Sequence, residues 1–265
     1  MGLSLPSVNV PDGGTYRAND IQRRLYYLWQ EYWREVLAYT QGYYRLWVLG
    51  GDTLDLDIKR RSHQYITNDE SAALDHAERV LETGMEAVDA CVFLIGTGAH
   101  VGINGAFEKA LAGRYDHAIR TKDGEAAWWQ FQRKINGVQF DIAHHTSMGS
   151  TPRTEKNAAN QLARDTRDWY DEVDQRPPDI VIRGHVHRMA DSYDNCKTRA
   201  IILPGWQGKT EYAHRRNSNR PPDIGGIAVL CHGIRDYEVK KWKLPLTTGS
   251  LWADLSLPKR TTSQS

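Results

Sequence analysis

The segment Asp179-Ile180-Val181-Ile182-Arg183-Gly184-His185-Val186-His187 constrains this chain more than any other. Three consecutive β-branched aliphatics, entered through Pro177 and Pro178, read as a short buried strand, and Gly184 marks where that strand must turn. The chain then leaves the sheet carrying two imidazoles. On an extended backbone His185 and His187 stand two residues apart, share one side and can face the same ion. Imidazole is the commonest side-chain metal ligand, and strand ends are where α/β sheets build their sites. The plain alternative is a surface loop that carries two histidines, and the other strands must decide between them.

They repeat the pattern. Residues 45–49 form an apolar strand that ends in Gly50-Gly51-Asp52-Thr53-Leu54-Asp55-Leu56-Asp57. Asp52 directly follows the strand and is the candidate; Asp55 and Asp57 read as supporting groups or as loop acids that cap nearby N–H groups. Cys91 to Ile95 is a second buried strand, exiting into Gly96-Thr97-Gly98-Ala99-His100. Asn136-Gly137 is a strong hairpin signal between strands over 127–135 and 138–143, the second of which ends in His144-His145. Parallel neighbours bring such ends to one edge of a sheet.

Helices separate the strands. Asn19 or Asp20 caps one running to about Tyr39, with Leu25, Leu28, Trp29, Tyr32, Trp33 and Val36 as its apolar stripe. Further helices are expected over 69–86 and 154–173, and later strands over 200–203, 226–231 and 237–242. Residues 1–16 read as an irregular lead-in. With no repeat and no linker, residues 1–246 form one domain, and the Ser/Thr-rich 247–265 a loosely ordered tail.

Composition narrows the function classes. Hydrophobic residues at 40% and charged residues at 25% of 265 are ordinary globular values. A formal charge of +1 gives no global electrostatic case for nucleic acid. The basic runs at 59–61, 214–216 and 240–243 read as solvated faces, which leaves nucleic-acid contact a minority idea. Cys91, Cys196 and Cys231 form no Cys-x-x-Cys pair, which argues against a disulfide framework and a thiolate zinc site and fits a reducing cytoplasm. No stretch approaches a membrane span. Nine tryptophans and thirteen tyrosines against four phenylalanines place aromatic rings in the core and at its rim, Trp128, Trp129 and Trp206 among them.

A carboxylate with several imidazoles and no thiolate suits Mn²⁺, Fe, Zn²⁺ or Ni²⁺ better than Ca²⁺ or Mg²⁺. An aspartate can bridge two ions ~4 Å apart, a pair that clamps a phosphate and stabilises in-line displacement. A further imidazole off the metal can protonate the leaving alkoxide. The chemistry implied is hydrolysis of a phosphoester.

The order of Gly51-Asp52, a Gly-rich turn ending in His100, an isolated His144 and Gly184-His185-Val186-His187 resembles the calcineurin-like metallophosphoesterases over about 47–187. Pro204-Gly205-Trp206-Gln207-Gly208 resembles a segment of phage-type members. The resemblance implies an α/β fold, a two-sheet β sandwich flanked by helices in four α/β/β/α layers, with two divalent ions at the strand ends. It implies that Asp52 bridges the ions and acts in catalysis, that His144 and His185 hold one ion and His187 the other, and that His100 stands where the family's transition-state-stabilising histidine lies. His145 is the fallback for His144.

Two departures accompany the resemblance. The family opens with Asp-x-His on its first strand, and none occurs in this sequence; where the family has Gly-Asn-His, this chain reads Gly96-Thr97-Gly98-Ala99-His100. The expectation is that Met1 falls inside the loop after strand one, so that the strand is missing and an edge or hydrophobic slot lies open in a sheet. The expected function is metal-dependent hydrolysis of a phosphomonoester or phosphodiester, weak or single-metal in the chain as written. The alternatives are a non-catalytic binding or scaffold module and a DNA-directed nuclease.

Overall fold

The structure is a computed structural model that describes residues 2–11, 13–54, 56, 66–67, 69–146, 152–210 and 221–246. Asp55, Asp57, the basic runs at 59–61 and 214–216 and the expected tail at 247–265 lie outside the described residues.

The chain is mixed α/β. A hairpin of β1 (Ser7–Asn9) and β2 (Thr15–Arg17) opens it, where the sequence suggested an irregular lead-in. Three-residue strands are too short to leave a periodic signature, so only the pairing reveals them. Helix α1 (Asp20–Tyr39) then begins on a full capping box: Asn19 Oδ1 accepts from the Gln22 N–H at 3.0 Å, and Gln22 Oε1 accepts from the Asn19 N–H at 3.2 Å. All six residues of its apolar stripe are buried.

Three parallel strands follow: β3 (Leu46–Leu49), β4 (Ala90–Leu94) and β5 (Ala127–Trp128), in the order β3-β4-β5. Between them run α2 (Glu70–Met85), the single turn α3 (Gly98–Val101) and α4 (Ala106–Ala112). The hairpin β6 (Gln130–Ile135) and β7 (Val138–Ala143) leads through α5 (Pro152–Glu172) to β8 (Ile180–Arg183), β9 (Ala190–Asp191) and β10 (Arg199–Ile202). These make a second sheet in the order β6-β7-β8-β10-β9, with β7, β8 and β10 parallel. A long antiparallel pair, β11 (Ile224–Gly233) and β12 (Asp236–Leu244), closes the described chain.

Strand alternation decides what each face meets. Cys91 and Phe93 of β4 join Trp29, Trp33, Leu81 and Leu111 from the helices in one buried cluster. Val92 and Leu94 join Phe131, Phe140, Ile180 and Ile201 of the other sheet in a second. On the far side of that sheet Ala163 of α5 packs on Val181 and Ala200. Helix α2 approaches closely enough that only a glycine fits at position 84, where an added Cβ would collide with the rings of Trp33 and Trp47.

The tryptophans divide. Trp128 is buried, and Trp206 is half-buried with its ring edge-on to Trp29 at 4.8 Å, but Trp129 is 59% exposed and corrects the core reading at that position. Its neighbour takes the inward side of the pleat, which leaves Trp129 the outward one.

Candidate metal centre

Parallel pairing carries the ends of β3 and β4 to one edge, and the ends of β7 and β8 to the facing edge of the other sheet. Both β3 and β8 end in glycines that let the loops close on each other: an added Cβ on Gly184 would lie 3.3 Å from the Gly50 carbonyl oxygen, and on Gly51, where φ is +89°, 2.5 Å from His144 Nδ1. Three of the residues singled out from sequence, Asp52, His185 and His187, have left-handed backbones with φ of 54°, 70° and 51°. Such conformations cost of order 1–3 kcal/mol each and gather where a structure must aim side chains.

The carboxylate of Asp52 accepts from the Thr97 N–H at 2.5 Å on Oδ1 and from the Thr97 hydroxyl at 3.2 Å on Oδ2. His144 Nε2 lies 3.0 Å from the same Oδ2 and 3.2 Å from His185 Nδ1, and the Thr97 Oγ1 lies 3.1 Å from that Nδ1. His144 is buried, and its Nδ1 is 2.7 Å from the Gly50 carbonyl oxygen. A carbonyl can only accept, so Nδ1 carries a proton and, in the neutral ring, Nε2 presents a lone pair toward an anionic oxygen and a second imidazole nitrogen.

That arrangement calls for something positive between the groups, either a proton shared on Nε2 or a cation. Ligand atoms around one tetrahedral Zn²⁺, each bonded at ~2.0–2.1 Å, stand roughly 3.3 Å apart. The Asp52 Oδ2–His144 Nε2 and His144 Nε2–His185 Nδ1 separations, 3.0 and 3.2 Å, are of that size. The ligand atoms that lie within 4.8 Å of one another are those of His144, His145 and His185, with the His144 tautomer fixed by a backbone carbonyl and the Asp52 carboxylate reaching the group through His144 Nε2.

Charge follows the geometry. Burial tends to raise the pKa of Asp52, but the His144 hydrogen bond and charge outweigh it and hold the carboxyl below its ordinary value. Burial tends to lower His144, but the bond to Asp52 and its charge raise it above the ordinary imidazole value. Partial burial, then the neighbouring His144 charge, lowers His185.

The remaining candidates are placed differently. His145 joins His144 and His185 in a group whose nitrogens all lie within 4.8 Å of one another. His187 is outside that group: Gly205 lies against its ring, 2.9 Å from Cγ to an added Cβ, and burial pushes its pKa down to about 4. The expectation that His185 and His187 face one side assumed an extended backbone, and the left-handed φ at both residues removes that assumption. His100, on α3, lines the same cavity as Asp52, His144, His185 and His187, and its charge contributes to lowering Asp52.

Two residues that were not among the site candidates read from sequence, Thr97 and Glu108, sit at the heart of the site. Thr97 touches Asp52, His144 and His185. Glu108 of α4 is fully buried, accepts from the Gly96 N–H at 2.6 Å and from the Thr53 N–H at 3.2 Å, and so straps together the loops that present Asp52 and Thr97. Burial raises its pKa to about 7 against the opposing pull of those two N–H groups. Its sequence signal was a charge in line with Leu111 and Ala112 at i, i+3 and i+4, the apolar face of a short helix.

The basic run at 240–243 is engaged elsewhere: Lys241 Nζ is 2.7 Å from Asp191 and Lys243 Nζ is 2.8 Å from Asp223. Among the described residues no helix is long and apolar enough to cross a membrane.

No protein-family model matches the chain, and no curated protein matches it. Among solved structures it is similar to a Thermotoga maritima protein determined by NMR in solution, at 11% identity and a TM-score of 0.38 over 76% of this chain and 100% of that one. It is also similar to a single-residue variant of Vps29 from Entamoeba histolytica, at 10% identity and a TM-score of 0.38 over 89% and 94% of the two chains. Wild-type Vps29 of that organism, complexed with Zn²⁺, is similar at 11% identity and a TM-score of 0.33 over 63% and 74%.

Proposed function

We propose that this protein is a metal-dependent hydrolase of phosphoesters, a relative of the calcineurin-like metallophosphoesterases with helices, two sheets and a further helix stacked in four layers. The observation that carries the reading is His144 Nε2 standing 3.0 Å from Asp52 Oδ2 and 3.2 Å from His185 Nδ1. A divalent ion there, Mn²⁺, Fe, Zn²⁺ or Ni²⁺, supplies Lewis-acid stabilisation of charge developing on a phosphoryl group. Asp52, His144 and His185 hold that ion, and the Gly50 carbonyl keeps His144 in its ligating tautomer. Thr97 orients the Asp52 carboxylate through two hydrogen bonds. His100, at the rim of the cavity, delivers a proton to the departing alkoxide. In this reading His187 would serve a second ion together with Asp52, and His145 is the fallback for His144 at the first.

The test is Mn²⁺ titration by calorimetry together with hydrolysis of an aryl phosphodiester. Asp52→Asn and His185→Ala should each lower metal affinity by at least tenfold and abolish metal-dependent turnover. Turnover that survives both substitutions would end the proposal.

A second reading is a binding module that keeps one ion without turnover. It is favoured by His145, rather than His187, standing with His144 and His185. Tight 1:1 metal binding with no hydrolysis of monoester or diester would select it. A DNA-directed nuclease would instead show DNA affinity that falls steeply with salt.

A further inference from the structure

The five-stranded sheet carries an ion pair where its pattern calls for apolar side chains. On the face turned to α5, Val181 and Ala200 pack against Ala163. Asp141 is the register partner of Val181 and shares that face, and so does Arg183, two residues beyond Val181. Their side chains are 4% and 13% exposed, and Arg183 Nη2 lies 2.9 Å from Asp141 Oδ1. Parallel strands covered on both faces are ordinarily apolar throughout, so the pair departs from the rule.

Its bonds reach well beyond the two side chains. Gln130 Nε2 donates to both Asp141 oxygens, at 2.8 and 2.9 Å, and Gln132 Nε2 donates to Oδ2 at 3.4 Å. The same Gln132 nitrogen donates to the Tyr170 hydroxyl of α5 at 2.7 Å, so three strands and a helix meet in one network. Arg183 Nη1 donates to the Asp141 carbonyl of β7 and to the Ile182 carbonyl of β8, each at 2.9 Å. The guanidinium therefore clips the backbones of two neighbouring strands together while it holds the carboxylate.

Those are the strands that end in His144 and His185. Ala143 and Arg183 are register partners, and the Gly184 N–H donates to the His144 carbonyl at 2.9 Å, so the clip lies directly behind the turn that carries both imidazoles. Replacing a buried ion pair by well-packed apolar residues is often neutral or stabilising, so stability alone does not account for a pair at this place. We infer that Asp141 and Arg183 are positioning residues of the candidate metal centre: they fix the spacing of the β7 and β8 ends, and with it the 3.2 Å between His144 Nε2 and His185 Nδ1. The consequence for metal rests on the proposed function, whereas the geometry does not. Each residue acts through the backbone it holds, as supporting partners of metal ligands do.

The experiment compares wild type with Asp141→Leu/Arg183→Met, which fills similar space without charge, and with Arg183→Lys, which keeps a cation for Asp141 but loses the fork that also spans two carbonyls. One readout is Zn²⁺ affinity by calorimetry. The other is solvent exchange of the His144 Nδ1 proton in metal-free protein, where the Gly50 carbonyl oxygen lies 2.7 Å from that nitrogen. The double variant should melt at or above the wild-type midpoint, yet bind Zn²⁺ about tenfold or more weakly and exchange that proton on the order of tenfold faster. Arg183→Lys should shift both readouts in the same direction, and it decides the matter if the double variant does not fold. Wild-type affinity and exchange in a folded variant overturn the inference. So does a lower midpoint with unchanged exchange, since the pair is then only structural. A wild type that binds no Zn²⁺ counts against the proposed metal site alone, and the exchange rates still decide the positioning role.

Discussion

Glu108 is the residue on which the geometry of the site most depends. It sends one carboxylate oxygen to the Gly96 N–H and the other to the Thr53 N–H, so each partner requires an acceptor. Glutamine offers one oxygen and one NH₂, and the NH₂ must confront a backbone donor. Glu108→Gln should therefore free one of the two loops and weaken Mn²⁺ binding by roughly 10–100-fold, the usual loss when a ligand's supporting partner is removed. Calorimetry on wild type and variant reads this directly, and equal affinities would show that the loops hold themselves. The same substitution has a pH signature in metal-free protein. Because burial raises the folded-state pKa to about 7, Glu108 contributes stability that is present below its unfolded value and lost as pH rises through 7. Glu108→Gln should remove that loss, flattening the stability profile between about pH 4.5 and 7 by up to ~1.4 kcal/mol per pH unit.

Helix α2 carries an opposite case. His76 has neither ring nitrogen in a hydrogen bond among the described residues, and burial followed by the Arg79 charge lowers its pKa to about 4. A base whose folded pKa is depressed must stay neutral to fold, so its contribution is complete above about pH 6.5 and falls away toward pH 4. His76→Leu removes both the unpaired nitrogens and the proton demand. It should stabilise by about 1–2 kcal/mol at pH 8 and by more at pH 5, measured by guanidinium unfolding. At this scale the sequence was most readable: α1, α2, β4, β7 and β8 follow from capping residues, apolar periodicity and β-branched runs, all of which are local. The β1–β2 hairpin did not follow, because two three-residue strands are defined by each other rather than by any pattern within themselves.

Across the whole molecule, Asp191 ties the five-stranded sheet to the β11–β12 pair. Its side chain is 2% exposed and accepts from Arg199 at 2.8 Å and from Lys241 of β12 at 2.7 Å. Burial tends to raise its pKa, but these two cations hold it below the ordinary range, so its contribution is present above about pH 4 and fades in acid. Asp191→Ala removes the carboxylate shared by two half-buried cations, which keep their contacts with the Tyr193 ring, and should cost about 1–3 kcal/mol, read as a drop in thermal midpoint at pH 7. Metal linkage also acts on the whole fold. Mn²⁺ at about 100 times its dissociation constant should add ~2.7 kcal/mol to stability, EDTA should remove it, and Asp52→Asn should show neither effect.

The sequence by itself determined which residues stand at strand ends. An apolar run, a glycine and a polar side chain are contiguous, so Asp52, His144 and His185 could be named without knowing how the strands are arranged. What only the tertiary structure decided is which of those ends meet and how their side chains are aimed. The left-handed backbone at His185 and His187 removes the shared side that sequence spacing had given them, and the group around His144 and His185 contains His145 and not His187. Thr97 was legible only as a neutral side chain, and its three contacts come from three different strand ends. Glu108 reaches Thr53 across 55 positions of sequence. Such contacts form when packing brings loops together, and no periodicity within either segment encodes them.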